Sequence, residues 1–305
     1  MASLRQIRSQ IKSIQGTQQI MRAMGMVSAS KLQRAQGRLL QARPGLAYLD
    51  GLVRRLLADY RAALARRAAE SPTANIPTLA EVHPFFDQRL PRGAQVLVVV
   101  TSDTGLCSTY NTHLVAAAER FLERRPPDET WQIIPIGKRG ARYFAKRRWP
   151  VLDGWLELGG RPDPVRLRAI GDALVQRFMT RADDGVAIAY THFVSMMHYR
   201  PTVELLLPLE VPTGDAREEA PGYIYEPTPE RVLEAALPLW AATKTLVVLL
   251  EALTSEHSAR MVAMKNASDN AKELAHSLTL QRNKIRQTSI TRELLEIVGT
   301  AEALK

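Results

Sequence analysis

The sequence predicts an α/β protein in which two long helices, one from each end of the chain, pair as an antiparallel coiled coil around an inserted Rossmann-like parallel α/β domain. Three observations predict it. Apolar residues recur at heptad spacing through the first fifty-odd residues. The stretch from Pro229 to the end contains no Gly or Pro between Trp240 and Val298. Between them, short apolar runs alternate with amphipathic ones, the order that builds a small parallel sheet.

Each element follows from its residues. Steps of seven from Leu4 give Leu4, Ile11, Gln18, Gly25, Leu32, Leu39, Leu46 and Val53. The companion row is Ile7, Ile14, Met21, Ser28, Ala35, Ala42, Leu49 and Leu56. Thirteen of these sixteen are apolar, counting alanine. A stripe of that length predicts a helix in a left-handed coiled coil, a rod of about 80 Å at 1.5 Å per residue. The exceptions, Gln18, Gly25 and Ser28, all fall within QQIMRAMGMVSASKL. They read as a level where pairing gives way to contact with a surrounding partner, with soft methionines supplying adaptable packing. Pro44 and Gly45 are expected to kink this helix without ending it, since the register resumes at Leu46 and Leu49.

Residues 1–68 thus form an N-terminal shaft helix, and 69–94, with SPTANIPTLAEVHP, a linker. The Rossmann-like domain occupies 95–212. QVLVVVTSD and WQIIPIG read as buried strands, separated by the helix NTHLVAAAERFLERR. After KRGARYFAKRR come the helix PVRLRAIGDALVQRFMTRAD, the strand GVAIAYTHF and a further strand in RPTVELLLPLEV. Residues 213–228 form a loop that opens on acidic TGDAREEAPG. The C-terminal shaft helix, 229–305, starts with Pro in its first turn and Glu230 and Glu234 near its positive end.

Composition narrows the function. One cysteine excludes an internal disulfide and a cysteine-based zinc cluster. The net charge of +10 is concentrated: residues 1–70 carry 13 Lys and Arg against Asp50, Asp59 and Glu70. That is a localised field for an acidic partner. No run of 18 apolar residues exists, so no transmembrane segment is expected. Arg5 and Arg8 interrupt any secretory signal, and a heptad pattern running past residue 50 is too long for a removable leader.

Motifs for chemistry are sparse. SDTGLCSTYN (102–111) sits between a strand and a helix, where nucleotides bind, but lacks both GxGxxG and GK[ST]. Cys107 and His113 have no visible third group to activate them, so a buried thiol is expected. The histidines form no HxxxH or HxH pair, and no metal, cofactor or catalytic residue is assigned. Aromatics are absent before Tyr48, which speaks against nucleic acid on the basic rod. By contrast Thr279, Gln281, Asn283, Gln287, Thr288, Ser289 and Thr291 crowd the last helix with neutral polar groups. Such groups suit contacts made and broken without a deep electrostatic trap. On residues alone, a Rossmann-type nucleotide-binding protein with coiled-coil arms and a basic coiled-coil scaffold remain alternatives.

Along its whole length the sequence resembles the gamma subunit of F-type ATP synthases. The resemblance rests on MASLRQIRSQIKSIQGTQQIMRAMGMVSASKLQRAQ, TSDTGLC, IGKRG, RPTVELLLPL, YIYEPTPERVL, SARMVAMKNASDNA and RQTSITRELLEIVGTAEAL, in the family's order. It implies a non-catalytic rotor shaft that couples ion-driven rotation of a c-ring to ATP synthesis or hydrolysis at beta subunits. The implied partners are a hexamer of alpha and beta subunits, the epsilon subunit and the c-ring. The implied location is peripheral, on the cytoplasmic face of a bacterial cell membrane. Residue by residue, Met24 matches a shaft methionine facing a beta-subunit loop, and Arg260 the basic residue near it on the partner helix. Gln287, Thr291 and Glu293 match a polar patch that meets beta. Tyr223, Tyr225 and Glu226 match a foot on the c-ring loops. The family loop SDRGLCGG is altered here by Thr104, Ser108 and Thr109. Gly25 stands where a charged residue is common, and Arg292 where Gln is usual.

Overall fold

A computed structural model describes residues 4–70, 78–87, 93–158, 163–209 and 225–303. In chain order the helices and strands are α1 (Leu4–Glu70), α2 (Leu79–Val82), β1 (Ala94–Val100), α3 (Tyr110–Glu123), β2 (Thr130–Ile136), α4 (Lys138–Phe144), α5 (Pro164–Met179), β3 (Gly185–Phe193), β4 (Tyr199–Leu207) and α6 (Pro229–Ala303). Pro44 and Pro238 lie inside α1 and α6 without ending either helix. The residues pack into two compact units. One comprises the chain up to Ser30 and from Arg260 onward; the other runs from Lys31 to Ala259.

In the first unit α1 and α6 pair through the heptad rows. Leu4, Ile7, Ile11, Ile14, Gln18, Met21, Gly25 and Ser28 are all buried or half-buried, while Arg5, Arg8, Lys12 and Arg22 are exposed. The three exceptions therefore belong to the pairing seam, and the expectation that pairing gives way there is corrected. A Cβ on Gly25 would lie 3.5 Å from the Met264 Cβ, so the missing side chain marks a close approach of the helices. Ser28 is buried because its hydroxyl donates to the Met24 carbonyl (2.8 Å), which removes the cost of an unpaired polar group.

The second unit is a three-layer sandwich around a four-stranded sheet of order β2-β1-β3-β4. β1 pairs in parallel with both β2 and β3. Val96, Val98 and Val100 point to one face, Leu97 and Val99 to the other, which is why β1 reads as an unbroken apolar run. The first face packs on α5, on α6 from Leu233 to Leu253, and on Leu39, Val53, Leu56 and Leu57 of α1. The second is covered by α3 and by Phe144 of α4. The expected parallel sheet thus carries one antiparallel edge, β4 against β3. Only residues 194–198 separate these strands, and they close a turn in which Ser195 N donates to the His198 carbonyl at 2.8 Å. A parallel return needs a crossover of about a dozen residues.

Within this unit α1 and α6 run antiparallel. Arg43 meets Glu251, Asp50 meets Trp240, and Asp59 meets Tyr225. An 18-residue window of α6 is apolar enough to cross a membrane by composition. More than half of that window is buried inside the chain, so its apolarity is used in packing.

Candidate functional site

Where α6 passes the carboxyl ends of β1 and β3, every residue from Glu251 to Ala259 is buried. A helix buried on all sides is normally apolar, yet this one carries Glu251, Thr254, Ser255, Glu256, His257 and Ser258. Several of its polar groups are taken up by the surrounding elements, and Thr254 donates to the Leu250 carbonyl of α6 itself. Arg43 Nη2 of α1 lies 2.9 Å from Glu251 Oε1 and also donates to the Phe193 carbonyl at 2.9 Å. His192 Nδ1 of β3 lies 2.5 Å from Glu251 Oε2. Ser255 and Ser258 hydroxyls donate to the carbonyls of Thr191 and Met196, and the Tyr110 hydroxyl donates to the Ala252 carbonyl. Nearby, burial pushes the Tyr190 hydroxyl well above its ordinary pKa, with Glu204 and Glu251 adding to the rise. One carboxylate thus joins both long helices to the sheet.

The start of the loop after β1 is tied down by its own hydrogen bonds. Ser102 N donates to Asn111 Oδ1, and Asn111 Nδ2 donates to Ser102 Oγ (2.8 Å) and faces Cys107 Sγ at 3.2 Å. Asp103 Oδ1 accepts from the backbone of Lys138 and Glu157. The enclosed space beside the loop, bounded by Thr101, Asp103, Tyr110 and Glu256, is about 10 Å³, the size of one water. Cys107 is buried against Tyr110 and Ala259. Among the described residues no three His, Cys, Asp or Glu side chains converge as a metal site.

The residues singled out for partner contact fall at several places. Met24 is half-buried in the first unit, close in sequence to exposed Ile20, Met26 and Val27. A cleft of about 500 Å³ opens beside it, lined by Met21, Gly25 and Met26 of α1 and Met261 and Met264 of α6. Arg260, matched by resemblance to the basic residue near Met24, is covered by the chain itself to 7% exposure. Gln287, Thr291 and Glu293 are exposed. The Thr291 hydroxyl donates to the Gln287 carbonyl, and Ser289 donates to Glu293. Tyr225 is half-buried, with its hydroxyl donating to Asp59, whereas Glu226 is exposed. Tyr223 lies outside the described residues.

The sequence reading missed the apolar part of the α6 end. Ile290, Leu294, Leu295, Ile297 and Val298 are all exposed, Leu295 to 68%. The reason is register. With Gly25 opposite Met264 and the helices antiparallel, Leu4 falls opposite about Ile285. Beyond that point α6 has no described α1 residue to cover it. The signal was present as an apolar run extending past the reach of the N-terminal heptads.

A family model described as ATP synthase matches residues 3–304. The chain is 38% identical over 306 residues to an ATP synthase gamma chain of Anaeromyxobacter, with full coverage of both. It is 37% identical to that of Moorella thermoacetica, again over the full length of both. For Roseiflexus castenholzii the figure is 39%, covering all of this chain and 99% of the relative. Among solved structures it resembles a chain from the central stalk and c-ring of the Tetrahymena thermophila mitochondrial ATP synthase. The TM-score is 0.57 and the identity 24%, covering 82% of this chain and 99% of the other. A chain of the Euglena gracilis mitochondrial enzyme gives a TM-score of 0.54 at 19% identity, covering 90% and 95%.

Proposed function

The chain belongs to the ATP synthase gamma chain family, and we propose from its surfaces how it carries out the family's work as the rotor shaft. As a gamma chain it is a non-catalytic subunit that couples rotation to ATP synthesis or hydrolysis in the alpha–beta hexamer, peripheral to the membrane. The contact with the hexamer is assigned to the first unit: Met24 on α1, and Gln287, Thr291 and Glu293 on α6. The observation that carries this is the uncovered end of α6, where exposed apolar side chains stand among neutral hydrogen-bonding groups. An exposed apolar patch of this kind marks a surface that a partner covers. Arg260, at 7% exposure, has little surface left to offer this contact.

Glu226 is assigned to the c-ring side, with Tyr225 beside it anchored to Asp59; Tyr223, outside the described residues, is assigned to the same side on the family resemblance. The epsilon subunit is the remaining partner, and no nucleic acid is expected. The bacterial sources of the relatives favour the cytoplasmic face of a cell membrane. A nucleotide-binding alternative has little support in the loop after β1, which lacks GxGxxG and GK[ST] and encloses only about 10 Å³ beside it.

The test is Met24→Lys in the assembled complex. A new cation in a half-dry contact pairs strongly with a partner carboxylate. ATP hydrolysis is expected to stay within about twofold of the parent while ATP-driven proton pumping falls severalfold. Pumping and hydrolysis that remain equally coupled would remove Met24 from the contact.

A further inference from the structure

The sheet face covered by α3 and α4 lies opposite the face that packs on α1, α5 and α6, and it carries a charge pattern that shaft function does not use. Residues 138–148, KRGARYFAKRR, hold six Lys and Arg and no acid. Three of the six are occupied. Lys138 pairs with Glu157 at 2.6 Å, and Arg147 pairs with Glu119 at 3.2 Å. Arg148 lies over the Trp149 ring, 4.8 Å from its centroid. The Tyr143 hydroxyl takes the other Glu119 oxygen, so that acid is fully used.

Arg139, Arg142 and Lys146 are left. All three are exposed, and among the described residues none has a carboxylate partner. They line one wall of a cleft of about 520 Å³ between α3 and α4. The facing wall on α3 is Asn111, Thr112, Val115, Ala116 and Glu119, whose carboxylate is already taken by Arg147 and Tyr143, so Val115 and Ala116 are its apolar part. Arg139 and Arg142 lie three residues apart on α4, one turn of helix, and Lys146 follows in the turn after it. Arg139 and Arg142 suit carboxylates at positions i and i+3 of a second helix, with Lys146 able to take a third at i+7. Polyphosphate would leave that apolar part unused, and a flat lipid surface would not enter a cleft.

We propose that this cleft is a docking site for an acidic amphipathic segment of a partner protein, with its carboxylates on Arg139, Arg142 and Lys146 and its apolar side chains against Val115 and Ala116. A cleft this small gives a weak, salt-sensitive contact in the micromolar range. The test uses the full chain and fluorescence anisotropy of a labelled helical peptide with Glu at i, i+3 and i+7 and Leu on the adjoining face. Its scrambled isomer, inorganic tripolyphosphate and phosphatidylglycerol vesicles are the comparators. Arg142→Glu/Lys146→Glu is expected to weaken peptide binding by about tenfold, with circular dichroism unchanged. Arg5→Glu/Arg8→Glu, on the basic N-terminal helix, is expected to leave it unaltered. The proposal is overturned if the scrambled peptide binds as well, or if both double variants lose equally, since either result means nonspecific attraction to a basic chain. Absence of peptide binding at low salt overturns it too. So does binding confined to vesicles or tripolyphosphate, which would replace a protein partner with lipid or phosphate.

Discussion

Glu251→Gln removes one charge from the junction of α1, α6 and the sheet while keeping its shape. The Glu251 side chain is 7% exposed, while Arg43 and His192 are 37% and 35% exposed. Breaking a fully buried pair costs about 3–5 kcal/mol, but partners exposed by a third are screened and partly rehydrated. Gln retains a neutral acceptor for Arg43, so each charge-assisted contact weakens by about 1 kcal/mol and the expected loss is about 2 kcal/mol. Arg43 keeps its bond to the Phe193 carbonyl, which bounds the damage. Denaturant unfolding of the full chain, followed by fluorescence of Trp240 and its neighbours, reads the loss as a lower midpoint at constant slope. Adding Arg43→Gln completes a double-mutant cycle with an expected coupling of about 1–2 kcal/mol. A Glu251→Gln variant within about 0.5 kcal/mol of the parent, or a coupling near zero, refutes the idea that this carboxylate ties the helices to the sheet.

Two glycines make opposite predictions. Gly25→Ala places a Cβ at ordinary contact, 3.5 Å from Met264, and is expected to raise stability by about 0.5–1 kcal/mol through helix propensity. Gly171→Ala would put its Cβ 3.0 Å from the Ala242 backbone, forcing α5 off α6, and is expected to lower it by about 1–3 kcal/mol; thermal unfolding of both variants checks the signs. Ser108 has φ +53°, in the left-handed region where the family loop has glycine, so Ser108→Gly is expected to stabilise the chain by up to about 1 kcal/mol, read as a higher denaturant midpoint. His83 is buried, its pKa held below the ordinary 6.5 by desolvation despite the opposing pull of Glu234. The unfolded chain then takes up a proton that the folded chain refuses. The contribution of His83 is complete above pH 6.5 and is lost as pH falls toward its folded pKa, by up to about 1.4 kcal/mol per unit. His83→Gln is expected to flatten that slope in unfolding measured between about pH 7.5 and 5, and an unchanged slope assigns it to other groups.

Some of the site was legible and some was not. The neutral polar run from Thr279 to Thr291 stood out because solvated helices carry charge, but its hydroxyls partly satisfy themselves on the helix backbone. The exposed apolar side chains beside it depend on where α1 ends relative to α6, which no local pattern states. Arg260 is assigned to the contact by resemblance alone, and only packing reveals that it is covered. The antiparallel β4 could have been read from the length of VSMMH alone, since five residues make a turn and not a crossover.

By itself the sequence determined what repeats locally. The period of the heptads set which side of α1 is buried, the unbroken apolar runs set strands covered on both faces, and charge placement set a basic N-terminal helix. Tertiary structure alone decided the partners. Gly25 and Ser28 became seam residues only because Met264 stands opposite and because a serine hydroxyl can bond its own helix. Glu251 meets Arg43 and His192 across 208 and 59 residues of chain. Periodicity specifies that a face must be covered, since apolar surface is costly in water. Which of many chemically similar residues covers it follows from the folding of distant segments together.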